Sequence, residues 1–293
     1  MSDGNPFGAH RVLEPHGVLP QPAQKLDNDM SRIWDNEILV DVDTLNVDSA
    51  SFTQIKEQAG GDEQRIAQII VETVQARGKQ HNPVTGSGGM FIGRVAQVGS
   101  RLADRGLAVG DPVVSLVSLS LTPLRIDKIL EVRKDVDQVR IQGQAVLFES
   151  GVYARMPDDM PPTLALAALD VAGAPAQTRR LVRDGDTVVI LGASGKSGIL
   201  CAAVARQQAG PTGTVIGAGH TVQRVERLKT LGLCHEVVAL DATDALACHK
   251  IIHDLTGGRM ANLVINCVNI PNTEMASILM CRDGGTVYFF SMA

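Results

Sequence analysis

The sequence predicts a two-domain α/β protein in which a β-rich first half precedes a doubly wound parallel sheet. Its 293 residues are enough for two domains of ordinary size. The first half contains alternating apolar and polar segments, which are typical of half-buried strands. From Asp186 onward, short apolar strands alternate with helical segments. This alternation is typical of a parallel sheet covered on both faces.

The first half contains strands separated by a helical insertion. Residues 37–43 and 93–98 alternate between apolar and polar side chains, which predicts two strands, and a turn beginning at Leu107 leads into a third. Apolar residues recur at helical spacing from Ile66 to Val74. We therefore expect a helical insertion over about 54–81.

A change in composition marks the boundary between the two halves. A Pro-rich stretch at 156–162 precedes an Ala-rich segment that predicts a helix at 163–172. We therefore expect a first domain over residues 1–160 and a second over residues 161–293.

The second domain is predicted to contain five strands with four helices between them. The strands are expected at 187–191, 214–217, 236–240, 263–267 and 286–290. The helices are expected at 197–208, 221–231, 244–255 and 272–280.

A glycine-rich turn follows the first of these strands. Gly192, Gly195 and Gly198 stand three residues apart, and an apolar helical segment follows. Glycines let the backbone approach a phosphate, and a helix N-terminus offers unpaired N–H groups, so the turn predicts a dinucleotide site. The ending Gly195-Lys196-Ser197 resembles a triphosphate-binding loop, but that motif needs a glycine where Ile190 stands. The predicted cofactor-binding residues are Gly192, Ser194, Gly195, Lys196, Ser197, Gly198, His220, Asp241, Asn266, Val268 and Asn269.

The residues leave the choice between NAD and NADP open. An acidic side chain at the end of the second strand would bind the ribose of NAD, yet the segment reads Gly217-Ala218-Gly219-His220. Arg224 follows closely, either as a partner for a 2′-phosphate or as a solvated helix residue. Asn266 and Asn269 either face the nicotinamide or serve the turn before Pro271.

Composition excludes several classes of protein. The formal net charge of −5, with scattered basic residues, argues against nucleic acid as a partner. The sequence contains no apolar run of about 18 residues, so it predicts no membrane-spanning helix. The N-terminus lacks the pattern of a signal peptide. The five cysteines form no Cys-x-x-Cys pair, which is typical of free thiols, so we expect a cytoplasmic protein.

Residues 83–89, Val98-Gly99 and Val109-Gly110-Asp111 are similar to a G-H-E…V-G…V-G-D pattern, and residues 167–173 follow as an Ala-rich segment. These motifs resemble the medium-chain dehydrogenase/reductase superfamily, in which a GroES-like domain precedes a Rossmann domain and a helix similar to 167–173 links the two. Within that superfamily the chain resembles the 3,5-diaminohexanoate dehydrogenase family over nearly its whole length. The segments that carry this resemblance are GVLPQPA (17–23), NVDSASFTQI (46–55), NPVTGSGGM (82–90), LVSLSLTPLRID (116–127), LFESG (147–151), LALAALDVAGAPAQ (164–177), INCVN (265–269) and YFFSMA (288–293).

The resemblance implies an NAD-dependent oxidative deamination in anaerobic lysine fermentation. The substrate would be the small diamino acid (3S,5S)-3,5-diaminohexanoate, and the products 5-amino-3-oxohexanoate, ammonium and NADH. We also expect a homo-oligomer. Two other readings remain open on the residues: a zinc-free, NADPH-dependent quinone or enoyl reductase, and a nucleotide-sensing protein without catalysis.

No metal is expected. Where zinc-dependent relatives place their ligands, this chain has Asn46, Ser87 with Gly88, and Asp170 or Val171, so thiolate and imidazole ligands are missing. His249 and His253 have a metal-like i, i+4 spacing beside Cys248, but no third ligand is near in sequence. We expect a solvated helix face there.

Without a metal, side chains must move the protons. Asp48, Asp170 and Glu149 are candidate bases for an amine substrate, and Ser87 is a further catalytic candidate. A helix cap or an exposed surface position is the plain alternative for each carboxylate. The predicted substrate-binding residues are Ser49, Ser51 and, for the substrate carboxylate, Arg125.

The chain ends directly after a predicted strand. Members of the superfamily return from this point to complete the first domain, so the sequence is expected to be truncated at its C-terminus.

Overall fold

The structure is a computed structural model that describes residues 4–82 and 86–290. The chain divides after Asp170 into two compact units. The predicted domain boundary at 160 and 161 lies one helix earlier in the chain. Residues 83–85, part of the segment similar to the superfamily pattern, and the chain end at 291–293 lie outside the described residues.

The first unit is built mainly from antiparallel strands. Its described residues form β1 (Val12–Glu14), β2 (Lys25–Leu26), β3 (Glu37–Asn46), β4 (Met90–Val98), β5 (Pro112–Ser115), β6 (Leu124–Arg133), β7 (Gln138–Phe148) and β8 (Tyr153–Arg155). β1 pairs with β2, and the other six form one sheet in the order β6-β7-β3-β4-β5-β8. The strands predicted at 37–43 and 93–98 are the adjacent strands β3 and β4 of that sheet.

Three helices accompany this sheet in the described residues: α1 (Ser49–Gln58), α2 (Glu63–Arg77) and α3 (Pro162–Leu169). Asp62 caps α2 by accepting a hydrogen bond from the Arg65 N–H at 2.7 Å, and Gly78 ends it in the left-handed conformation. Apolar side chains of α1 and α2, including Phe52 and Ile66, are fully buried against the sheet. The insertion is therefore two helices, and the first begins several residues before position 54.

The second unit is a parallel sheet with connecting helices. Its described strands are β9 (Thr187–Leu191), β10 (Thr214–Gly219), β11 (Glu236–Ala239), β12 (Ala261–Asn266) and β13 (Cys281–Phe289). Its described helices are α4 (Gly173–Leu181), α5 (Lys196–Ala209), α6 (Val222–Leu231), α7 (Ala245–Thr256) and α8 (Glu274–Leu279). All pairings are parallel, in the order β11-β10-β9-β12-β13. This confirms the predicted α/β fold class with a Rossmann-like second part.

The sheet order reverses at β9. Successive strands run outward to one side through β10 and β11, and then to the other side through β12 and β13. In sheets of this kind, ligands bind beyond the carboxyl ends of the strands at the point of reversal. The turn after Leu191 stands at that point.

One helix boundary differs from the prediction. The helix expected at 163–172 ends at Leu169, and α4 begins at Gly173. Pro175 lies in the first turn of α4 and has no N–H to donate to the carbonyl group of Val171, so a helix cannot continue through this segment with its usual hydrogen bonds. Asp170 stands at the resulting break.

A buried ion pair fixes the N-terminal segment to β3. The Arg11 guanidinium contacts Glu37 at 2.7 Å, and His10 Nε2 lies 2.8 Å from the same carboxylate. Arg11 and Glu37 are 1% and 0% exposed. Burial alone would raise the pKa of Glu37, but hydrogen bonds from His10 and Arg11, the positive charge of Arg11 and the Trp34 N–H outweigh it and lower the pKa to about 2.

A second buried charge lies after α2. Lys79 is fully buried, and its ammonium group donates hydrogen bonds to the carbonyl oxygens of Pro20 at 2.7 Å and Gln21 at 2.9 Å. Burial, together with the positive charge of Arg77, lowers the pKa of Lys79 to about 8.

No helix in the described part of the chain is long and apolar enough to cross a membrane.

Candidate functional site

The glycine turn between β9 and α5 has the geometry of a phosphate-binding loop. Gly192 has a φ of 72°, a left-handed conformation that favours glycine. A β-carbon there would lie 3.2 Å from the carbonyl group of Cys267 and from Val268. Gly192 therefore brings the turn close to the end of β12 with little space for a side chain.

The third glycine allows α5 to approach this turn. A β-carbon on Gly198 would overlap the carbonyl oxygen of Gly192 and lie 2.6 Å from the α-carbon of Ala193. α5 begins after Gly195, which supplies no side-chain cap. The N–H groups of the first turn therefore have no side-chain partner and can bind an anion.

A cavity of about 340 Å³ opens beside this helix end. It lies at the carboxyl ends of the strands and contacts seven of the eleven predicted cofactor residues. Those seven are Gly192, Ser194, Gly195, His220, Asp241, Val268 and Asn269. Arg224, considered above as a partner for a 2′-phosphate, also lines the cavity. The lining residues that the prediction did not include are Leu191, Ala218, Gly219, Leu240, Ala242, Cys267 and Ile270. Most of these residues end a strand or directly follow one. The predicted strand ends could therefore have identified them.

Four predicted cofactor residues do not line this cavity. Lys196 is exposed, and Ser197 and Gly198 are buried in the first turn of α5. These three residues would bind a phosphate through their backbone N–H groups. Asn266 is 1% exposed, and its amide donates hydrogen bonds to Thr273 at 2.9 Å and Ser277 at 3.0 Å.

Asn266 also shapes the wall of the cavity indirectly. Its side-chain amide oxygen, Oδ1, accepts a hydrogen bond from the Val268 N–H at 2.9 Å. The side chain thus ties the end of β12 to α8 and holds the loop that carries Val268 and Asn269. Of the two interpretations given above for Asn266, this contact fits the second, in which the side chain stabilises the turn before Pro271.

The cavity wall also contains a carboxylate. Asp241 follows β11 and accepts hydrogen bonds from the Thr243 N–H at 2.9 Å and the Thr243 hydroxyl at 2.7 Å. These bonds and the neighbouring His220 lower the pKa of Asp241. Asp241 is therefore ionised at neutral pH.

The first unit contains a smaller cavity of about 180 Å³ that brings Ser87 and Asp170 together. Its other lining residues are Gly89, Met90, Leu116, Val117, Ser118 and Leu169. Asp170 is half-buried at the end of α3, where its N–H donates to the Leu166 carbonyl oxygen at 3.0 Å. The cavity combines a carboxylate and hydroxyl groups with apolar walls. Sequence reasoning missed Ser118, because nothing in its local pattern separates it from neighbouring serines.

Asp48, Ser49 and Ser51 lie at the start of α1 and do not line this cavity. Asp48 is the N-cap and accepts hydrogen bonds from the N–H of Ser51, at 3.1 Å, and from its hydroxyl. Ser49 is exposed and donates to Asp137 at 2.7 Å. Helix capping thus accounts for the geometry of Asp48.

Glu149 and Arg125 lie elsewhere in the first unit. Glu149 accepts a hydrogen bond from Asn36 at 3.1 Å and lies 3.7 Å from Arg101. Arg125 contacts Asp127 at 2.9 Å and donates to Gln144 at 2.8 Å. Neither residue lines the cavity that contains Ser87 and Asp170.

The side chains that could bind a metal are dispersed in the part of the chain that the structure describes. Among residues 4–82 and 86–290, no three His, Cys, Asp or Glu side chains are grouped as a metal site would need. The rings of His249 and His253 lie 6.0 Å apart on α7, and Cys248 is fully buried. Asn46, at one expected ligand position, is buried and accepts a hydrogen bond from Gln138 at 3.3 Å.

Comparison with known proteins identifies the family. Residues 10–157 match the model of the L-erythro-3,5-diaminohexanoate dehydrogenase N-terminal domain. The enzyme of that name from Acetoanaerobium sticklandii is 54% identical over 291 residues, which cover 99% of this chain and 84% of the relative. The chain belongs to the L-erythro-3,5-diaminohexanoate dehydrogenase family. The relative of the same name from Fusobacterium nucleatum subsp. nucleatum is 52% identical over 294 residues, covering 100% of this chain and 85% of its own length.

Membership of this family makes the chain an oxidoreductase of the dehydrogenase type. Residues 197–293 also match a family model described as zinc-binding dehydrogenase. These matches confirm the resemblance inferred from the sequence. Because dehydrogenases of this kind transfer hydride to a nicotinamide, they also support a nicotinamide cofactor for the family.

Solved structures with low sequence identity share the fold. A mycobacterial quinone oxidoreductase superposes with a TM-score of 0.59 at 20% identity, covering 100% of this chain and 72% of its own. The CurK enoyl reductase superposes with a TM-score of 0.58 at 17% identity, covering 90% of this chain and 70% of its own. These likenesses confirm the fold of the medium-chain dehydrogenases and reductases.

Proposed function

We propose that this chain catalyses the oxidative deamination of (3S,5S)-3,5-diaminohexanoate at C3 with a nicotinamide dinucleotide as oxidant. The products are 5-amino-3-oxohexanoate, ammonium and the reduced dinucleotide. The observation that carries the proposal is the identity of 54% over 99% of the chain to an enzyme named for this substrate. The cavity at the glycine turn supports the cofactor part of the proposal.

The reaction has two chemical stages. A nicotinamide dinucleotide held at the glycine turn would supply the oxidant, because its ring can take up a hydride from C3 of the substrate and so leave an iminium carbon there. Water then adds to that carbon and ammonium leaves, so the net reaction consumes one water and releases one proton. A base must remove a proton from the substrate ammonium group and later from the attacking water.

Asp170 is the carboxylate that best fits this role. It shares a cavity with Ser87 and Ser118, whereas Asp48 caps α1 and Glu149 contacts Asn36 and Arg101. In the proposal, Asp170 attracts the ammonium group and accepts its proton, and the serine hydroxyls orient water. Arg125, predicted to bind the substrate carboxylate, lies outside this cavity and has no part in the proposed mechanism.

The proposed reaction uses no zinc. Its support is the chemistry of the side chains at the expected ligand positions, where the amide of Asn46 and the hydroxyl of Ser87 replace the thiolate and imidazole ligands of zinc enzymes. The family resemblance implies NAD as the dinucleotide, and the residues leave NADP open. The pathway implied by the substrate is lysine fermentation.

The decisive experiment measures reduction of NAD⁺ and NADP⁺ by the purified chain with 3,5-diaminohexanoate, together with release of ammonium. We expect both signals with the diamine, and unchanged rates after treatment with a metal chelator. Reduction of quinones or enoyl thioesters by NADPH without turnover of the diamine would establish the reductase alternative. Dinucleotide binding without turnover of any of these substrates would establish the sensor alternative.

A further inference from the structure

The first unit contains a further cavity, of about 270 Å³, which no step of the proposed reaction uses. Its walls come from strands β3, β4, β6 and β7 and from the start of α3. Its described lining residues all differ from those of the cavity that contains Ser87 and Asp170. A ligand here would therefore occupy a separate site from the one proposed for catalysis.

A bulge in β3 brings a carboxylate to this cavity. Opposite β4, residues 42–44 of β3 face only Gly93 and Ile92, so Asp43 is the extra residue of the bulge. Bulges bend a strand and re-aim a side chain, and they are frequent next to active sites. The Asp43 carboxylate lines the cavity and accepts a hydrogen bond from the Thr44 hydroxyl at 2.6 Å.

Arg140 lies beside this carboxylate, but at a distance too long for a hydrogen bond. Its guanidinium group is 4.0 Å from the Asp43 carboxylate and 3.7 Å from that of Glu131. A charge-assisted hydrogen bond would be about 1 Å shorter. Arg133, which also lines the cavity, is by contrast paired with Glu131 at 2.9 Å. The guanidinium group of Arg140 and the carboxylate of Asp43 can therefore each bind a charged group of a ligand.

A buried amide in the same wall lacks one hydrogen bond. Gln138 is fully buried, and its Nε2 donates to Asn46 Oδ1 at 3.3 Å and to the Thr163 carbonyl oxygen at 3.2 Å. Its Oε1 has no hydrogen-bond partner in the part of the chain that the structure describes. Because an unpaired buried acceptor is unfavourable, this oxygen favours a ligand that donates a hydrogen bond.

These groups fit a ligand that carries both charges and an apolar side chain. An ammonium group would bind Asp43 and Gln138 Oε1, and a carboxylate would bind Arg140. In an α-amino acid both charged groups are attached to one carbon atom, so they match wall groups that lie close together. The buried side chains of Ile92 and Leu166 supply an apolar surface for the rest of the ligand. We propose that this cavity binds an aliphatic α-amino acid as a zwitterion.

The test is titration calorimetry of the purified chain with L-leucine. We expect one saturable site per chain, with a dissociation constant of about 1 mM or below. 4-Methylpentanoate lacks the ammonium group of leucine, and 3-methylbutylamine lacks its carboxylate. Each should bind about tenfold or more weakly, because each leaves one charged group of the wall without a partner. These comparisons use the wild-type chain and need no substitution.

Two substitutions locate the site. Arg140→Gln and Asp43→Asn each remove one charge, and each should weaken leucine binding by about tenfold or more. Thermal unfolding checks that both variants fold. Arg65→Gln is the matched control, since Arg65 is similarly exposed and is paired at 3.8 Å with Glu72 but does not line the cavity. This control should bind leucine as the wild type does.

Several results would overturn the site. They are the absence of leucine binding up to about 10 mM, or equal binding by the wild type and Arg140→Gln. Equal affinity for leucine and 4-methylpentanoate would overturn the zwitterion assignment. Because the titrations contain neither the diamine nor a dinucleotide, each of these outcomes leaves the proposed function as it stands.

Discussion

The α-carbon of Gly198 packs against the carbonyl group of Gly192, so no side chain separates the first turn of α5 from the end of β9. The cavity of about 340 Å³ at the carboxyl ends of the parallel strands lies beside this contact, since Gly192 is one of its lining residues. Close approach at this point brings the N–H groups of α5 to the position where a pyrophosphate would bind.

Replacing Gly198 with Ala should therefore impair folding and cofactor binding together. The added methyl group would overlap the Gly192 carbonyl oxygen, which belongs to the backbone. We expect a loss of about 1–3 kcal/mol in the free energy of unfolding, measured with denaturant, and weaker dinucleotide binding.

Gly195→Ala is the comparison that separates these two effects. A β-carbon on Gly195 would lie 3.4 Å from the Gly192 carbonyl oxygen, and the backbone there is extended. We expect nearly wild-type stability but reduced dinucleotide affinity, because the methyl group would face the pyrophosphate. Equal affinity in Gly195→Ala and wild type would contradict the placement of the phosphates.

The buried ion pair of Arg11 and Glu37 gives a prediction about stability. Glu37→Gln removes the negative charge and leaves the buried guanidinium group without its charge partner. We expect the free energy of unfolding to fall by about 3 kcal/mol, measured by denaturant titration at neutral pH. Asp254→Asn, which breaks the exposed pair with Lys250, should change it far less, because solvent screens an exposed ion pair.

The same pair predicts a pH dependence. The pKa of Glu37 is about 2 in the folded chain, below its ordinary value of 4.5. The unfolded chain therefore binds this proton first, and the stabilisation present above pH 4.5 is lost as the pH falls toward 2. The stability difference between wild type and Glu37→Gln should shrink over this range. A constant difference would contradict the prediction.

Lys79 predicts a change in the opposite pH range. Its pKa is about 8 in the folded chain, below the ordinary value of 10.5, because burial and Arg77 disfavour the charged form. Between these values the unfolded chain binds more protons, so stability rises with pH. Denaturant titrations at several pH values should show wild type gaining stability relative to Lys79→Met from pH 8 toward 10.5. A parallel pH response of both proteins would argue against this assignment.

Substitutions of Asp170 and Asp48 should affect the rate of catalysis differently. Asp170→Asn should lower kcat with 3,5-diaminohexanoate by about 100-fold or more while dinucleotide affinity stays unchanged, because it removes the proposed base. Asp48→Asn should keep most activity, since asparagine also caps helices. Asp48→Ala should lose about 1 kcal/mol of stability. Steady-state kinetics and thermal unfolding measure these effects, and an active Asp170→Asn would exclude Asp170 as the base.

Most of the second unit follows from the order of residues along the chain. All five predicted strands and four predicted helices are present, because each apolar segment is continuous and ends at a turn signal. The hairpin of β6 and β7 was not predicted. β6 mixes half-buried and exposed side chains without regular alternation, so its local pattern does not identify a strand.

The sequence predicted many of the residues that line the cavity at the glycine turn. It could not predict which candidate residues of the first unit share a cavity. Gly192, Gly195 and Ser194 are close in sequence, so their local order predicts their contact with one ligand. Ser87 and Asp170 are far apart in sequence and meet in one cavity only because β4 and α3 pack together.

The sequence by itself determined the strand–helix order, the glycine turn and the family, because these depend on periodicity and spacing along the chain. Tertiary structure decided which polar side chains share a cavity. It placed Asp48 at the N-cap of α1 and Arg224 in the wall of the cavity at the glycine turn. Asn266 does not line that cavity but hydrogen-bonds Thr273. The physical reason is that a side chain's partners are set by the packing of distant segments, which no local pattern contains.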